Sequence, residues 1–215
     1  MNRMHKYFPE MGINIFWYKE NKIKSNKLIS NLDKLNNDVR VCNKCDLSTS
    51  RINTVFGSGA NDAAIMVIGE APGKDEDLEG KPFVGRAGKL LTEFLESINL
   101  HRDNIFITNT VKCRPPENRN PETQEINACA YYLDMQIKII KPKVIILLGK
   151  IAANRMLNED KSITELRGKK FFFQKHAIPV IVFYHPAYIL RSPSKKYKVW
   201  QDLKFLKKIL LSHVN

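Results

Sequence analysis

The chain has 215 residues, a formal charge of +13 and an apolar fraction of 43%. That length suits one domain with a substantial core; no apolar run is long enough to span a bilayer, and the start, Met1-Asn-Arg-Met-His-Lys-Tyr7, lacks the apolar stretch of a secretory signal, so a cytoplasmic protein is expected. The positive excess points to a polyanionic partner, nucleic acid first, although a base-biased genome rich in Lys and Asn codons produces the same excess.

Residues 1 to about 24 mix aromatics, lysines and asparagines without periodicity and read as an extension. From Ser25 to about Val39, Leu28, Leu32 and Leu35 recur at helical spacing and predict a short amphipathic helix. It leads to Cys42 and Cys45, a C-x-x-C pair, and then to a polar, Gly-containing stretch, 46 to 62, that reads as irregular. Ala64–Ile68 has the pattern of a buried strand. The next twenty residues, Gly69 to Gly88, hold five glycines, two prolines, five acidic residues and one aromatic, Phe83. That composition argues against a regular element and for a ligand loop.

Leu90, Leu91, Phe94, Leu95 and Ile98 mark one face of a helix over 89–100. Asn104–Thr108 is a second strand pattern, running into a Pro- and Arg-rich loop, Asn109 to Pro121, that contains Cys113. Pro121 is expected at the start of a helix reaching about Ile140, with Cys129 along it. Val144–Leu148 is uniformly apolar, as in a parallel sheet covered on both faces. A helix over 151–157, strands over 170–174 and 179–184, a loop from His185 to Arg191 and a last helix over 196–214, burying Val199, Leu203, Leu206 and Leu210, complete the chain. The alternation predicts an α/β fold: a three-layer α/β/α sandwich with a mainly parallel central sheet of about four strands.

Each notable polar loop follows the C-terminal end of a predicted strand: Glu70 onward, Asn109 onward and His185 onward. Ligands of open parallel sheets bind outside those ends, so the three loops are expected to share one pocket. The four cysteines, Cys42, Cys45, Cys113 and Cys129, make a complete ligand set, and by their chemistry zinc and iron–sulfur are both open.

Four motifs stand in order: Gly69-Glu-Ala-Pro-Gly73, Pro82-Phe-Val-Gly-Arg-Ala-Gly88, Cys113-Arg-Pro-Pro116 with Asn118-Arg119, and His185-Pro-Ala-Tyr-Ile-Leu190. Together they resemble the family 4 uracil-DNA glycosylases, the iron–sulfur branch of the uracil-DNA glycosylase superfamily. The resemblance runs from about Val41 to the end, which divides the chain into an extension with a short helix (1–40) and a glycosylase domain (41–215).

The resemblance implies a monofunctional hydrolase of N-glycosyl bonds. It would flip uracil out of single- or double-stranded DNA, because a stacked base cannot be reached, and leave an abasic site for base excision repair. Phe83 would stack on uracil. Asn109 would read its edge, since one amide offers both the acceptor and the donor that N3–H and O4 require. His185 would stabilise the departing anion as a neutral donor. Glu76 would bar thymine's methyl group, Glu70 would stand near the sugar, and Asp75 and Asp77 read mainly as solvated loop charges. Ala71 follows Glu70 where another branch of the superfamily keeps an aspartate, so no strong base is apparent, and Asn118 is the residue left to position the water.

Ile189 or Leu190 would fill the space of the flipped base. Arg191, Lys195, Lys196, Arg86 and Arg119 would contact phosphates. The four cysteines match the ligands of a structural [4Fe–4S] cluster. A prokaryote-like, nucleoid-associated monomer follows, with a replication or repair protein as a conceivable partner. A branch that crosslinks to the abasic sugar through a histidine is disfavoured, because 113–121 contains none. The alternative is a catalytically weak or inactive DNA-binding relative, against which the set Phe83, Asn109 and His185 argues.

Overall fold

Uniform burial along the four central strands decides the architecture. The computed structural model describes residues 22–212, with side chains over 31–211. The expected extension before residue 22, the side chain of Leu28 and the last residues of the C-terminal helix lie outside that range. Strands β1 (Ser58–Gly59), β2 (Ile65–Gly69), β3 (Phe106–Asn109), β4 (Val144–Leu148), β5 (Lys170–Phe173) and β6 (Ile178–Phe183) form one sheet in the order β1-β3-β2-β4-β6-β5. The four central strands are parallel, as expected. Both edges, β1 on β3 and β5 on β6, are antiparallel, so the sheet is mixed and has six strands.

The helices are α1 (Lys22–Arg40), α2 (Leu47–Ser50), α3 (Lys74–Glu79), α4 (Arg86–Glu96), α5 (Thr123–Ile140), α6 (Lys150–Leu157), α7 (Ile163–Leu166), α8 (Pro186–Arg191) and α9 (Lys196–Ser212). Successive strand residues point to opposite faces, and the core divides accordingly. Met66, Ile68, Ile145, Leu147, Val180 and Val182 pack under α1, α5 and α6. Ile65, Val67, Val144, Ile146, Leu148 and Ile181 pack under α4, α8 and α9. Helices on both faces make the expected three layers. Leu32, Leu35 and Val39 of α1 join the first core cluster, so the helix assigned to an extension packs into the domain. On α9 it is Ile209, not Leu210, that is buried.

Four local readings are corrected. The acidic loop is not free of regular structure: it contains α3, and α4 begins at Arg86, three residues before Lys89. Glu76 accepts from the backbone of Gly73 at the start of α3, and Gly80 at φ 68 ends it. Caps of this kind hold a six-residue helix that has no apolar period to betray it. Pro121 does not start α5; Glu122 is the N-cap, with its N–H donated to Glu125 at 2.7 Å. The His185 segment is helical, with His185 as N-cap and Pro186 as first residue. The region 46–62 contains α2 and the two-residue β1, both too short for periodicity to register. Among the described residues no helix is long and apolar enough to cross a membrane.

Candidate active site and cysteine pocket

Parallel pairing brings the first two loops together. Gly69, last of β2, lies in register with Asn109, last of β3. A Cβ at Gly69 would stand 2.4 Å from Asn109 Oδ1 and 2.6 Å from Phe83 Cζ, so amide and ring close over a position only glycine fits. The third loop completes the group: the rings of Phe83 and His185 are 5.8 Å apart between centroids, tilted by 35°. Three residues from 83 to 185 in sequence thus meet at the C-terminal edge of the sheet, as the strand-end argument expects.

Each member is held. Phe83 sits at φ 54, a left-handed conformation that is strained for an aromatic residue. Arg102 restrains it, donating to the carbonyls of Phe83 (3.1 Å) and Pro82 (2.7 Å). Gly88 lets α4 approach, since a Cβ there would meet Phe83 O at 1.8 Å. His185 Nδ1 accepts from the N–H of Ala187 at 3.2 Å, so the proton of the neutral ring is on Nε2. Burial, with a smaller contribution from the Arg191 charge, lowers its pKa to about 4, and the ring is neutral at pH 7. Asn109 is 1% exposed, and its Oδ1 is the one buried side-chain oxygen without a hydrogen-bond donor among the described residues. Such an atom costs about 1–3 kcal/mol while unpaired; beside the Phe83 ring at the C-terminal edge of the sheet, it marks a place for a ligand N–H.

The acidic residues divide by role. Glu76 accepts from Gly73, Val84 and Gly85 backbone N–H groups at 3.0–3.1 Å and so ties α3 to the Phe83 turn. Asp77 is no solvated charge: it is 1% exposed and accepts from Ile52 and Asn53 backbone N–H groups. Glu70 is half-buried, and desolvation raises its pKa. Ala71 packs at the margin of the core. Asn118 does not join the group around Phe83; it is exposed at φ 56, with Oδ1 accepting from Arg114 Nε at 2.8 Å.

Of the residues expected at DNA, Ile189 is fully buried in the core, whereas Leu190 is 38% exposed. Arg191, Lys196 and Arg86 are exposed and Lys195 is partly so. Arg119 is engaged by Glu125 at 2.6 Å and Glu122 at 3.4 Å.

All four cysteines line one small pocket, with Val39, Arg51, Lys112 and Tyr132 around them. They are free thiols, and Cys113 and Cys129 are buried. Arg51 gathers the walls: Nη1 donates to Cys113 Sγ at 3.1 Å and Nη2 to the Cys42 carbonyl at 2.8 Å. Burial raises the thiols of Cys45 and Cys113, and that of Cys129 to about 11. Among the described residues no group of His, Cys, Asp or Glu is arranged to hold a single metal ion.

Residues 56–204 match the family model described as the uracil DNA glycosylase superfamily. The chain belongs to this superfamily. It is 46% identical over 191 residues to a protein of Sulfurisphaera tokodaii named type-4 uracil-DNA glycosylase, covering 86% of this chain and 87% of that one. It is 43% identical to a type-4 uracil-DNA glycosylase of Archaeoglobus fulgidus, covering 82% and 92% of the two chains. Similarity to a type-5 uracil-DNA glycosylase of Thermus thermophilus is lower, 30% over 118 residues and 48% of this chain. Within the superfamily the chain therefore sides with the type-4 group.

Sequence reasoning did not single out Arg102, Arg51 or Lys112. Arg102 acts through the carbonyls of Pro82 and Phe83, and Arg51 through the Cys42 carbonyl and the Cys113 sulfur, pairings that no local pattern records. Lys112 had one visible signal, a lysine between the apolar Val111 and the ligand-type Cys113; it is 1% exposed.

Proposed function

We propose that the chain is a monofunctional uracil-DNA glycosylase acting on uracil flipped from single- or double-stranded DNA. The observation that carries this reading is the buried, donor-less Oδ1 of Asn109 beside the Phe83 ring. Uracil N3–H supplies the missing donor, and the amide nitrogen donates to O4. Cytosine presents the reverse pattern and would leave two mismatched groups, costing about 1–3 kcal/mol each. Phe83 stacks on the base. Glu76, locked by three backbone donors, stiffens the floor against thymine's methyl group.

Water attacks C1′ and becomes the hydroxyl of the abasic sugar. The electron pair of the C1′–N1 bond leaves with uracil, whose anion takes up the proton that the water releases. His185, neutral and protonated on Nε2, donates to O2 as that charge develops. Glu70 stands on the sugar side, and Ala71 leaves no carboxylate beside it. A weakly activated water suffices where the sugar is oxocarbenium-like in the transition state; Asn118, exposed and engaged by Arg114, would have to turn from that partner toward the Phe83 group to position it. Leu190, exposed above the buried Ile189, is the wedge; Arg191, Lys195, Lys196 and Arg86 hold phosphates, and Arg119, already paired, contributes less.

Cys42, Cys45, Cys113 and Cys129 would hold a [4Fe–4S] cluster. The donor set fits: four sulfurs around one pocket, with the cations Arg51 and Lys112 suited to the negative charge of a thiolate-bound group. When bound, the cluster would tie the segment after α1, the loop after β3 and α5 together and would supply no step of the hydrolysis. The protein acts as a cytoplasmic monomer at the nucleoid, in base excision repair with other repair or replication proteins.

Uracil release from single-stranded and duplex oligonucleotides tests the enzyme. Wild type is expected to release uracil, and His185→Ala to lose most of that rate. DNA binding without release would instead identify the inactive relative. Anaerobic purification tests the cluster: a coloured, iron-containing protein is expected, and a colourless one containing zinc would overturn it.

A further inference from the structure

The last helix has an outer face that the pocket does not use. α9 buries Val199, Leu203 and Leu206 in the second core cluster. At 3.6 residues per turn, Lys196, Tyr197, Trp200, Lys204 and Lys207 fall within an outward arc of about 100°, and all five are exposed. Tyr197 is 56% and Trp200 49% exposed, and among the described residues neither ring has a hydrogen-bond or ring partner. Three residues apart on a helix, they stand side by side, with Cβ atoms about 5–6 Å apart. Core packing gives no reason for two large rings to meet water together.

Charge on the helix sorts the same way. Its one carboxylate, Asp202, is 1% exposed and accepts from Arg167 Nε at 3.0 Å and Nη2 at 2.9 Å. The outer face of α9 therefore shows lysines and no acid. It also begins where the contacts proposed for DNA end. β6 stops at Phe183, α8 carries Leu190, and only residues 192–195 separate α8 from α9. Lys196, a phosphate contact in that reading, is the first residue of α9 and the chain neighbour of Tyr197. From Lys196 to Lys207 the helix axis advances about 16 Å, enough for several nucleotides.

We propose that this face of α9 is a stacking track for a single-stranded flank of the substrate: two unpaired bases lie on Tyr197 and Trp200, and Lys196, Lys204 and Lys207 meet the phosphates. This rests on the uracil-DNA glycosylase reading above and adds which form of DNA the surface beside the pocket fits. Rings set among cations hold single strands without reading sequence, because every base has a flat face. A duplex keeps its bases stacked inside and offers α9 only phosphates. A protein partner fits the face less well, since lysine is depleted at protein interfaces.

The reporter is Trp200. The chain has two tryptophans, Trp17 and Trp200, so Trp17→Phe leaves one indole. Its emission is followed as an oligothymidylate of about 16 nucleotides, the upper site size of one stacking module, is added, and then a uracil-free duplex of equal length. Neither DNA holds uracil, so nothing is hydrolysed. The single strand is expected to quench Trp200, and the duplex to leave it bright. In the chain that keeps Trp17, replacing both rings, Tyr197→Ala with Trp200→Ala, should weaken binding of a labelled single strand about tenfold or more, as loss of base stacking does. Lys204→Gln should lower the slope of log affinity against log salt for that strand by about 0.7. Phe172→Ala is the control: this ring is 53% exposed on the edge strand β5 and should leave binding as it is. An indole that no single strand quenches, equal quenching by the duplex, wild-type binding by the doubly substituted protein, an unchanged salt slope, or an equal loss in the control would each overturn the track. Absence of uracil release by the wild type would overturn the glycosylase reading instead, and the quenching of Trp200 does not depend on it.

Discussion

Replacing Gly69 by Ala adds one methyl group where the pocket is closed. Its carbon would lie 2.4 Å from Asn109 Oδ1 and 2.6 and 2.9 Å from two carbons of the Phe83 ring. Favourable contacts between such atoms begin near 3.5 Å, so amide and ring must each retreat by about 1 Å. Neither has room. Asn109 is 1% exposed and its carbonyl is held by Lys112. Phe83 is fixed by Arg102 at its carbonyl and by the close approach of Gly88. Overpacking of this kind costs about 1–3 kcal/mol, and at roughly 2–4 °C per kcal/mol for a domain of this size Tm should fall by about 2–12 °C. A displacement of about 1 Å in the residues that orient a substrate costs on the order of 10²-fold in rate. Single-turnover uracil release under saturating enzyme is therefore expected to drop about 10²-fold in a protein that remains folded by circular dichroism. Gly69 has no positive φ, so the substitution probes space and not backbone strain. A folded Gly69→Ala variant within threefold of wild type would refute the placement of the pocket.

Asn109→Asp keeps an acceptor but replaces the donor to O4 with a charge facing the departing anion. The lost bond is worth about 1–3 kcal/mol, and a like charge near 5 Å at an effective dielectric of 20 adds roughly 3 kcal/mol; together they correspond to about 10³–10⁴-fold slower uracil release at pH 7.5. Protonation of the new carboxyl restores a donor, so its residual activity should rise as pH falls, and a flat profile would contradict the role given to the amide. The pH dependence of the wild type follows His185. Its folded pKa, about 4, lies below the ordinary 6.5, so stability from the neutral ring is present above pH 6.5 and is lost as pH falls toward 4. That loss is up to roughly 3 kcal/mol: Tm should hold between pH 6.5 and 8 and fall progressively below pH 6.5, while uracil release should persist until the folded ring charges and decline below about pH 5; a decline of uracil release centred at pH 6.5 would contradict the lowered pKa of His185. Cys129→Ser should lower the metal content of anaerobically purified protein and reduce Tm by about 10 °C or more, since each lost kcal/mol is worth roughly 2–4 °C; unchanged Tm and metal content would remove Cys129 from the ligand set.

The sequence by itself determined the layers and the address of the site. Uniformly apolar runs such as Val144–Leu148 can only be parallel strands covered on both sides, and Leu90, Leu91 and Leu95 can only face a sheet. Because ligands gather at the C-terminal ends of such strands, the loops after Gly69, Asn109 and Phe183 were legible as one pocket before any coordinates. What periodicity could not register were the capped pieces, α3 and α8, because hydrogen bonds from Glu76 and a proline after His185 hold them instead of an apolar stripe.

Only the tertiary structure decided the chemistry within the pocket. It separated Leu190 from Ile189 by burial, and took Asp77 out of solvent to bind the backbone of residues 52 and 53. It left Asn109 Oδ1 without a donor, put the proton of His185 on Nε2, and enclosed Lys112 among three neutral oxygens. Each of these depends on distances of a few ångströms between residues far apart in the chain. Local pattern carries the direction in which a side chain points from its own element; which atom it meets there is fixed only when the elements pack.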